Sequence, residues 1–399
     1  MTKILFLSFF FLAFLAGCQP SRGVDSIVIW HDKEEAIAQV IQDHLEAAFP
    51  EITFELVRRE SLTDTLKLVG NTPNSAPDMF IFAHDKVGLF AEIGILASLD
   101  DLLGDETFDD FLPITLEAGT YRGVQYQLPF YFETLLFMYN KDRLASEDVP
   151  TTTTELLTYM QETTDARRFG FVEQHSNAYY AAGWIHAFGG RLLDDDGVPM
   201  LNHPNTLQAL AYQQAFLPYM PRGQAEYATI NTLFYERRAN SIIGGPWMVP
   251  TARARGINLG FAPMPIVPQT GLPLAPFMGV QGIHVLNVAI QDDAKREVIR
   301  EVLRHLSDPL LGVELAKVSG VAPAHRQAYE DDFVQNDPLV QAMFDAASSA
   351  IPMSNLPQMD IVWVTAADML VQINLRGQDI LETANEAQRR TEDLIRRME

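Results

Sequence analysis

Apolar runs of strand length alternate with helix-length amphipathic stretches along this chain, and that alternation limits it to layered α/β folds. Ile27, Val28, Ile29 and Trp30 form a compact run suited to a buried strand. From Lys33 the period lengthens, placing Ile37, Val40, Ile41, Leu45 and Ala48 on one helical face. Residues 52–57 alternate as a second strand, and residues 78–82 form a buried run behind Pro77. Strands joined in this order by helical crossovers imply a mostly parallel sheet, with a ligand site beyond the carboxyl ends of its strands. The polar clusters Asp32-Lys33 and His84-Asp85-Lys86 directly follow two of those strands.

The same alternation returns in the middle of the chain. The spacing predicts a helix over 152–164, a strand over 169–172 and a longer helix over 204–219. A short strand at 241–243 stops at the breaker cluster Gly244-Gly245-Pro246. Residues 293–306 read as an amphipathic helix through Val298, Ile299, Val302, Leu303 and Leu306, and the tail is helical from Asp379. Two α/β units are expected, and 399 residues are enough for both cores. No internal repeat is visible.

The first residues have a different character. Lys3 precedes an apolar run over 4–16, short for a bilayer-spanning helix but suited to a secretory signal. The run ends at Leu15-Ala16-Gly17-Cys18, which resembles the lipobox of bacterial lipoproteins, so 1–17 is expected to be removed and Cys18 lipidated. Cys18 is the sole cysteine, which excludes an internal disulfide; the alternative is an ordinary signal with an incidental thiol. Each buried acyl methylene contributes about 0.8 kcal/mol, so lipid alone can hold a soluble domain at a membrane. Residues 19–26 are polar, with Pro20 and Gly23, and read as a tether. The formal net charge of -23 argues against nucleic acid and against docking on anionic lipid, and favours a neutral or cationic solute.

Aromatics and carboxylates are scattered at strand ends and loops. A pyranose has two apolar faces and a rim of hydroxyls, so a sugar site needs flat rings together with planar acceptors and donors. Candidates for the rim are Asp32, Lys33, Asp85, Lys86 and Glu133; candidates for the faces are Phe82, Tyr179, Trp247 and Trp363. Spacing alone does not single these out. Asp32 and Asp85 could instead cap the helices that follow them, Glu133 could be a solvated strand residue, and His84 reads as a structural hydrogen-bonding residue. Trp247, Trp363 and Met353 could be core.

Val28-Ile29-Trp30, Ala76-Pro77-Asp78, Ala83-His84-Asp85, Tyr139-Asn140-Lys141, Gly245-Pro246-Trp247 and Pro357-Gln358-Met359, in this order over nearly the whole mature chain, resemble the bacterial maltose and maltodextrin-binding proteins among the extracellular solute-binding proteins of ABC importers. Val28-Ile29-Trp30 with Asp32-Lys33 is similar to the family's first strand and sugar-contacting loop. Ala76-Pro77-Asp78 with Phe82-Ala83-His84-Asp85-Lys86 is the most specific match. Glu133 ahead of Tyr139-Asn140-Lys141, then Gly245-Pro246-Trp247, then Pro357-Gln358-Met359 with Trp363 follow in the family's order. The resemblance implies the two-lobed periplasmic-binding-protein fold of type II, each lobe a mostly parallel sheet flanked by helices. It implies lobes of 27–131 with 280–332 and of 136–278 with 337–399, hinged near 131–136, 277–282 and 331–336.

The resemblance further implies a binder and no enzyme: a monomeric lipoprotein outside the cytoplasmic membrane, carrying an oligosaccharide to importer permease subunits, with no cofactor or metal. The sugar-binding residues it implies are Asp32, Lys33, Phe82, Asp85, Lys86, Glu133, Asn177, Tyr179, Trp247, Met353 and Trp363. Several positions depart from the pattern. Phe82 stands for a tryptophan and Lys86 for an arginine, giving up a bidentate fork. Asn177 stands for a glutamate, and Val364 and Ala367 occupy places where maltose binders often carry a tyrosine and an arginine. The rival from another class is a glycoside hydrolase using two of these carboxylates. Other rivals are a binder of another solute, such as glycerol phosphate, and a surface adhesin.

Overall fold

In the computed structural model, which describes residues 23–104, 108–221 and 227–398, the first apolar run forms the strand Ser26–His31. The expected signal, Cys18 and the first half of the tether lie outside the described residues. Ser26–His31 pairs in parallel with Thr53–Arg58 and with Met79–Ala83, as helical crossovers on one side of a sheet require. The first helix, Glu35–Ala48, turns Ile37, Ile41 and Leu45 inward and begins two residues after Lys33. Neither Asp32 nor Asp85 caps a helix: the helices that follow them have no side-chain cap at their starts.

The sheet continues as Phe277–Val285, Leu128–Thr134 and Ala322–Pro323, with Ile351–Pro352 joining the start of Phe277–Val285 to make seven strands. Phe277–Val285 runs antiparallel to both Met79–Ala83 and Leu128–Thr134. The second sheet has four strands in the order Leu259–Ala262, Leu136–Asn140, Ala239–Gly244, Phe169–Val172, and only the last pair is parallel. The two-lobed α/β expectation holds, while the ladders are mixed rather than mostly parallel. The physical reason lies in the crossings. A strand returning from the other lobe enters a sheet from the opposite end to strands delivered by helical crossovers, so it pairs antiparallel.

The five expected helices begin within two residues of where the spacing puts them. Thr152 caps Thr153–Thr163 with a reciprocal capping box to Glu155, Asp292 caps Asp293–Leu306, and Asp379 caps Ile380–Arg396. The expected helix over 204–219 is shorter: it stops at Gln213, and a separate turn holds Leu217–Tyr219. Pro218 has no N–H to continue the ladder, and its ring clashes with the preceding turn.

Each sheet has its own core. Ile27, Ile29, Ile81, Leu128, Val285 and Leu303 fill the first, and Phe137, Phe171, Trp184, Phe216 and Met369 the second. A carboxyl sits within the second core. Glu173 is fully buried; Oε1 accepts from Trp184 Nε1 at 2.7 Å and Gln213 Nε2 at 3.0 Å, and Oε2 finds no partner among the described residues. Burial pushes its pKa up to about 8, against the lowering effect of those two hydrogen bonds. The unfolded chain would release this proton near 4.5, so the folded state holds it longer. Stability from this group is therefore complete below the unfolded value and declines as pH rises towards the folded one. Urea melts of Glu173→Gln and the parent should diverge across that window, the variant losing less stability on going to alkaline pH. Parallel curves would show that Glu173 is already ionised in the fold.

Candidate functional site

The loop after Met79–Ala83 is pinned before it presents any side chain. Buried His84 accepts from the Val280 N–H at Nδ1, 3.0 Å away, which leaves Nε2 to donate to the Met353 carbonyl at 2.8 Å. Burial lowers the pKa of His84 and favours this neutral tautomer. The expectation of a structural histidine thus holds. The Gly88 N–H donates to Asn355 O at 3.0 Å, and Asn355 Nδ2 donates to the carbonyls of Ala118 and Thr120 at 2.9 and 2.7 Å. Together these bonds tie residues 353–355 to the first lobe and set the start of the helix Met359–Leu370.

That helix carries Trp363, whose Nε1 donates to Asp85 Oδ2 at 3.0 Å. Asp85 also faces Lys86 Nζ at 3.1 Å, and the same ammonium lies 3.1 Å from Asp360. Lys67 completes the group, 2.6 Å from Asp360. Burial works against the charge on Lys86, but Asp85 and Asp360 outweigh it and raise its pKa. Burial likewise opposes ionisation of Asp360, and the two lysines outweigh that and lower its pKa. Lys86 is thus held between two carboxylates.

A second polar chain crosses the sheet surface. Lys33 Nζ lies 2.7 Å from Asp32 and donates to Gln281 Oε1 at 2.6 Å, while Gln281 Nε2 donates to Glu133 Oε1 at 2.8 Å. Burial pushes the pKa of Glu133 up to about 7, against the lowering effect of Lys33 and Gln281; Glu34 and Asp32 add to the rise.

Between these networks lies a cavity of about 450 Å³. Asp85, Glu133 and Gln281 line it from the first lobe's side, and Asn177, Tyr179, Tyr180 and Trp247 from the second. Met353, Trp363 and Ala367 complete the wall from the last part of the chain. The rings are braced by one another: Tyr179 lies 6.4 Å from Trp363, and Phe277 meets Trp363 edge-on at 5.3 Å. Trp247 follows the strand Ala239–Gly244 on the turn Pro246–Met248. Its ring folds back so closely that a Cβ on Gly245 would come within 2.2 Å of it, so any larger residue there would displace the ring.

Seven of the eleven expected site residues therefore share one cavity: Asp85, Glu133, Asn177, Tyr179, Trp247, Met353 and Trp363. Asp32, Lys33, Phe82 and Lys86 lie outside its wall. Asp32, Lys33 and Lys86 are engaged in the ion pairs above, and Phe82 packs in the first lobe with Lys33 Nζ 5.9 Å from its ring. Asn177 has a structural task as well, because Oδ1 caps the helix Ala178–Ala187 by accepting from the Tyr179 N–H at 2.9 Å. Of the departures, Ala367 puts a methyl in the wall and Val364 is exposed outside it. Sequence reasoning missed Gln281, Tyr180 and Asp360. A glutamine inside the apolar run of Phe277–Val285 was a readable signal for the first; the other two carried none.

The chain is 31% identical over 350 residues to the maltotriose-binding protein of Pyrococcus abyssi, covering 86% of this chain and 76% of that one. It is 26% identical over 396 residues to a maltodextrin-binding protein of Bacillus subtilis, covering 94% and 92%. The maltose/maltodextrin-binding domain of Bdellovibrio bacteriovorus, solved bound to maltotriose, superposes with a TM-score of 0.85 at 26% identity, over 93% of this chain and all of that one. A family profile described as bacterial extracellular solute-binding protein matches residues 41–342, from inside the first helix to inside the helix Pro338–Ala347. Most of the fold that builds the cavity lies within that match, and the chain belongs to the bacterial extracellular solute-binding proteins.

Proposed function

We propose that this protein captures a maltodextrin-type oligosaccharide between its two lobes and hands it, chemically unchanged, to the permease subunits of an ABC importer. The observation that carries this reading is the meeting of Tyr179, Trp247 and Trp363 with Asp85 and Glu133 around one cavity. Rings cover the apolar faces of a pyranose, and carboxylates accept from its hydroxyls. The names of the relatives above, which bind maltotriose and maltodextrin, support the same solute class. A phosphorylated solute suits the cavity less well, since Lys33 and Lys86 each already face a carboxylate.

The energetics agree with capture rather than with tight locking. Micromolar binding requires about 8 kcal/mol, and covering each ring contributes roughly 1.5 to 3 kcal/mol before ordering costs. Rings cannot choose among sugars. Hydroxyl-specific bonds to Asp85 and Glu133 must do so, because a wrong sugar leaves a desolvated carboxylate unpaired.

The lobes in this reading are 27–131 with 280–332 and 136–278 with 337–399. Support comes from the consecutive strands Leu128–Thr134 and Leu136–Asn140, which belong to different sheets. Closure bends these crossings, and the closed form is what the permease would recognise. Lipidation of Cys18 would keep the binder at the membrane on its extracytoplasmic side.

Calorimetry with maltose, maltotriose, longer dextrins, trehalose and glycerol phosphate tests the proposal, and maltotriose or a longer dextrin should bind best. Labelled maltodextrin incubated with the protein should be recovered intact; shorter products would refute a pure binder. Trp247→Ala should weaken maltotriose binding about tenfold or more with the fold retained, the loss expected from uncovering one ring. Unchanged affinity would remove that ring from the site.

A further inference from the structure

Within the reading of the cleft as an oligosaccharide site, we infer that Gln281 is the positioning residue that sets the polar edge of the first lobe, holding Lys33 and Glu133 at either end of its carboxamide. Gln281 is buried in the middle of Phe277–Val285, a strand whose residues are all buried. An ammonium can only donate, so the carboxamide atom 2.6 Å from Lys33 Nζ must be the oxygen. The nitrogen then faces Glu133 Oε1 at 2.8 Å and requires an acceptor there. The opposite amide orientation would set donor against donor at one end and acceptor against acceptor at the other. The relay therefore has one polarity.

Sheet register explains how two long side chains meet. Glu133 lies directly opposite Gly279, and Gln281 follows two residues later on the same face. This is the diagonal relation that long side chains can span. Met353 fills the space above Gly279, where a Cβ would lie 3.1 Å from Met353 Cε. The relay occupies one oxygen of Glu133 and holds the carboxylate still, while the other oxygen accepts no hydrogen bond among the described residues. That second oxygen is the one a sugar hydroxyl would find. Preorganisation of this kind spares a bound sugar the cost of ordering the acceptor.

The groups facing Glu133 are Lys33, Asp32 and Glu34 from the first loop, Tyr131 from its own strand, and Tyr179 and Tyr180 from the second lobe. Among them Gln281 is the neutral group that bonds directly to the carboxylate. Removing it leaves every one of those charges in place.

The test uses Gln281→Met, which keeps length and burial, with Gln281→Leu as a second variant should the first fold poorly. Carbon-detected NMR titration of the Glu133 carboxyl in the sugar-free protein should show its midpoint rise by about half a pH unit or more in either variant. Calorimetry at pH 6.5 should show maltotriose binding weakened about tenfold, with a smaller deficit at alkaline pH, where Glu133 is ionised in both proteins. A role in packing alone would not move the midpoint. An unmoved midpoint overturns the relay whatever the affinity. A raised midpoint in a protein whose parent binds no maltotriose would uphold the relay and refute the sugar reading instead.

Discussion

Trp363→Ala is expected to weaken maltotriose binding by about 100-fold or more, the largest loss among single ring replacements in the cleft. Two contributions disappear together. Uncovering the ring removes roughly 1.5 to 3 kcal/mol of apolar burial, and losing the indole donor leaves Asp85 less well positioned to accept from a sugar hydroxyl. The bond from Trp363 Nε1 to Asp85 Oδ2 is 3.0 Å long and joins residues 278 apart in sequence, so its loss leaves Lys86 alone to hold that carboxylate oxygen. Trp363→Phe separates the two effects, because it keeps an aromatic face without the donor, and about a tenfold loss is expected from it. Calorimetry on both variants decides the matter. If the alanine variant binds within threefold of the parent, neither the ring nor its bond to Asp85 belongs to the sugar site.

Lys295→Met should destabilise the first lobe by about 3 to 5 kcal/mol without touching the cleft. Lys295 Nζ lies 2.7 Å from Asp78 Oδ1 with both side chains buried, and the other carboxylate oxygen of Asp78 accepts from the Val28 N–H at 2.8 Å. Asp78 thereby stitches the strand Ser26–His31 to the residue that opens Met79–Ala83, while Lys295 ties both to the helix Asp293–Leu306. Removing the ammonium takes away one member of a buried ion pair, and the cost of doing so exceeds the net worth of the pair. Urea denaturation measures the loss. Adding Asp78→Asn to Lys295→Met should recover part of it, whereas additive losses would mean that the two groups are not coupled.

Asp78 illustrates a general division in this chain. Its place in Ala76-Pro77-Asp78 was visible as a motif, yet its partner comes from a helix more than two hundred residues away. The same holds in the cleft. The loops Asp32-Lys33 and His84-Asp85-Lys86 were legible as polar clusters at strand ends, and both are found there. Their division of labour was not. Lys86 is taken up by Asp85 and Asp360, and Lys33 by Asp32 and Gln281, 248 residues distant. Asn177 stood at a site position in place of a glutamate, and it spends its carboxamide oxygen on the helix it begins.

Sequence alone determined several of the strand and helix segments, the presence of two α/β units and the residue types from which the site is made. Those properties follow from periodicity and from hydrogen bonds spanning a few residues, which act wherever the chain lies. Tertiary structure alone decided the antiparallel entry of Phe277–Val285, the cation partners that absorb the carboxylates, and which side chains face the cavity. Each depends on the direction in which a distant segment arrives, and no local pattern encodes a direction of arrival.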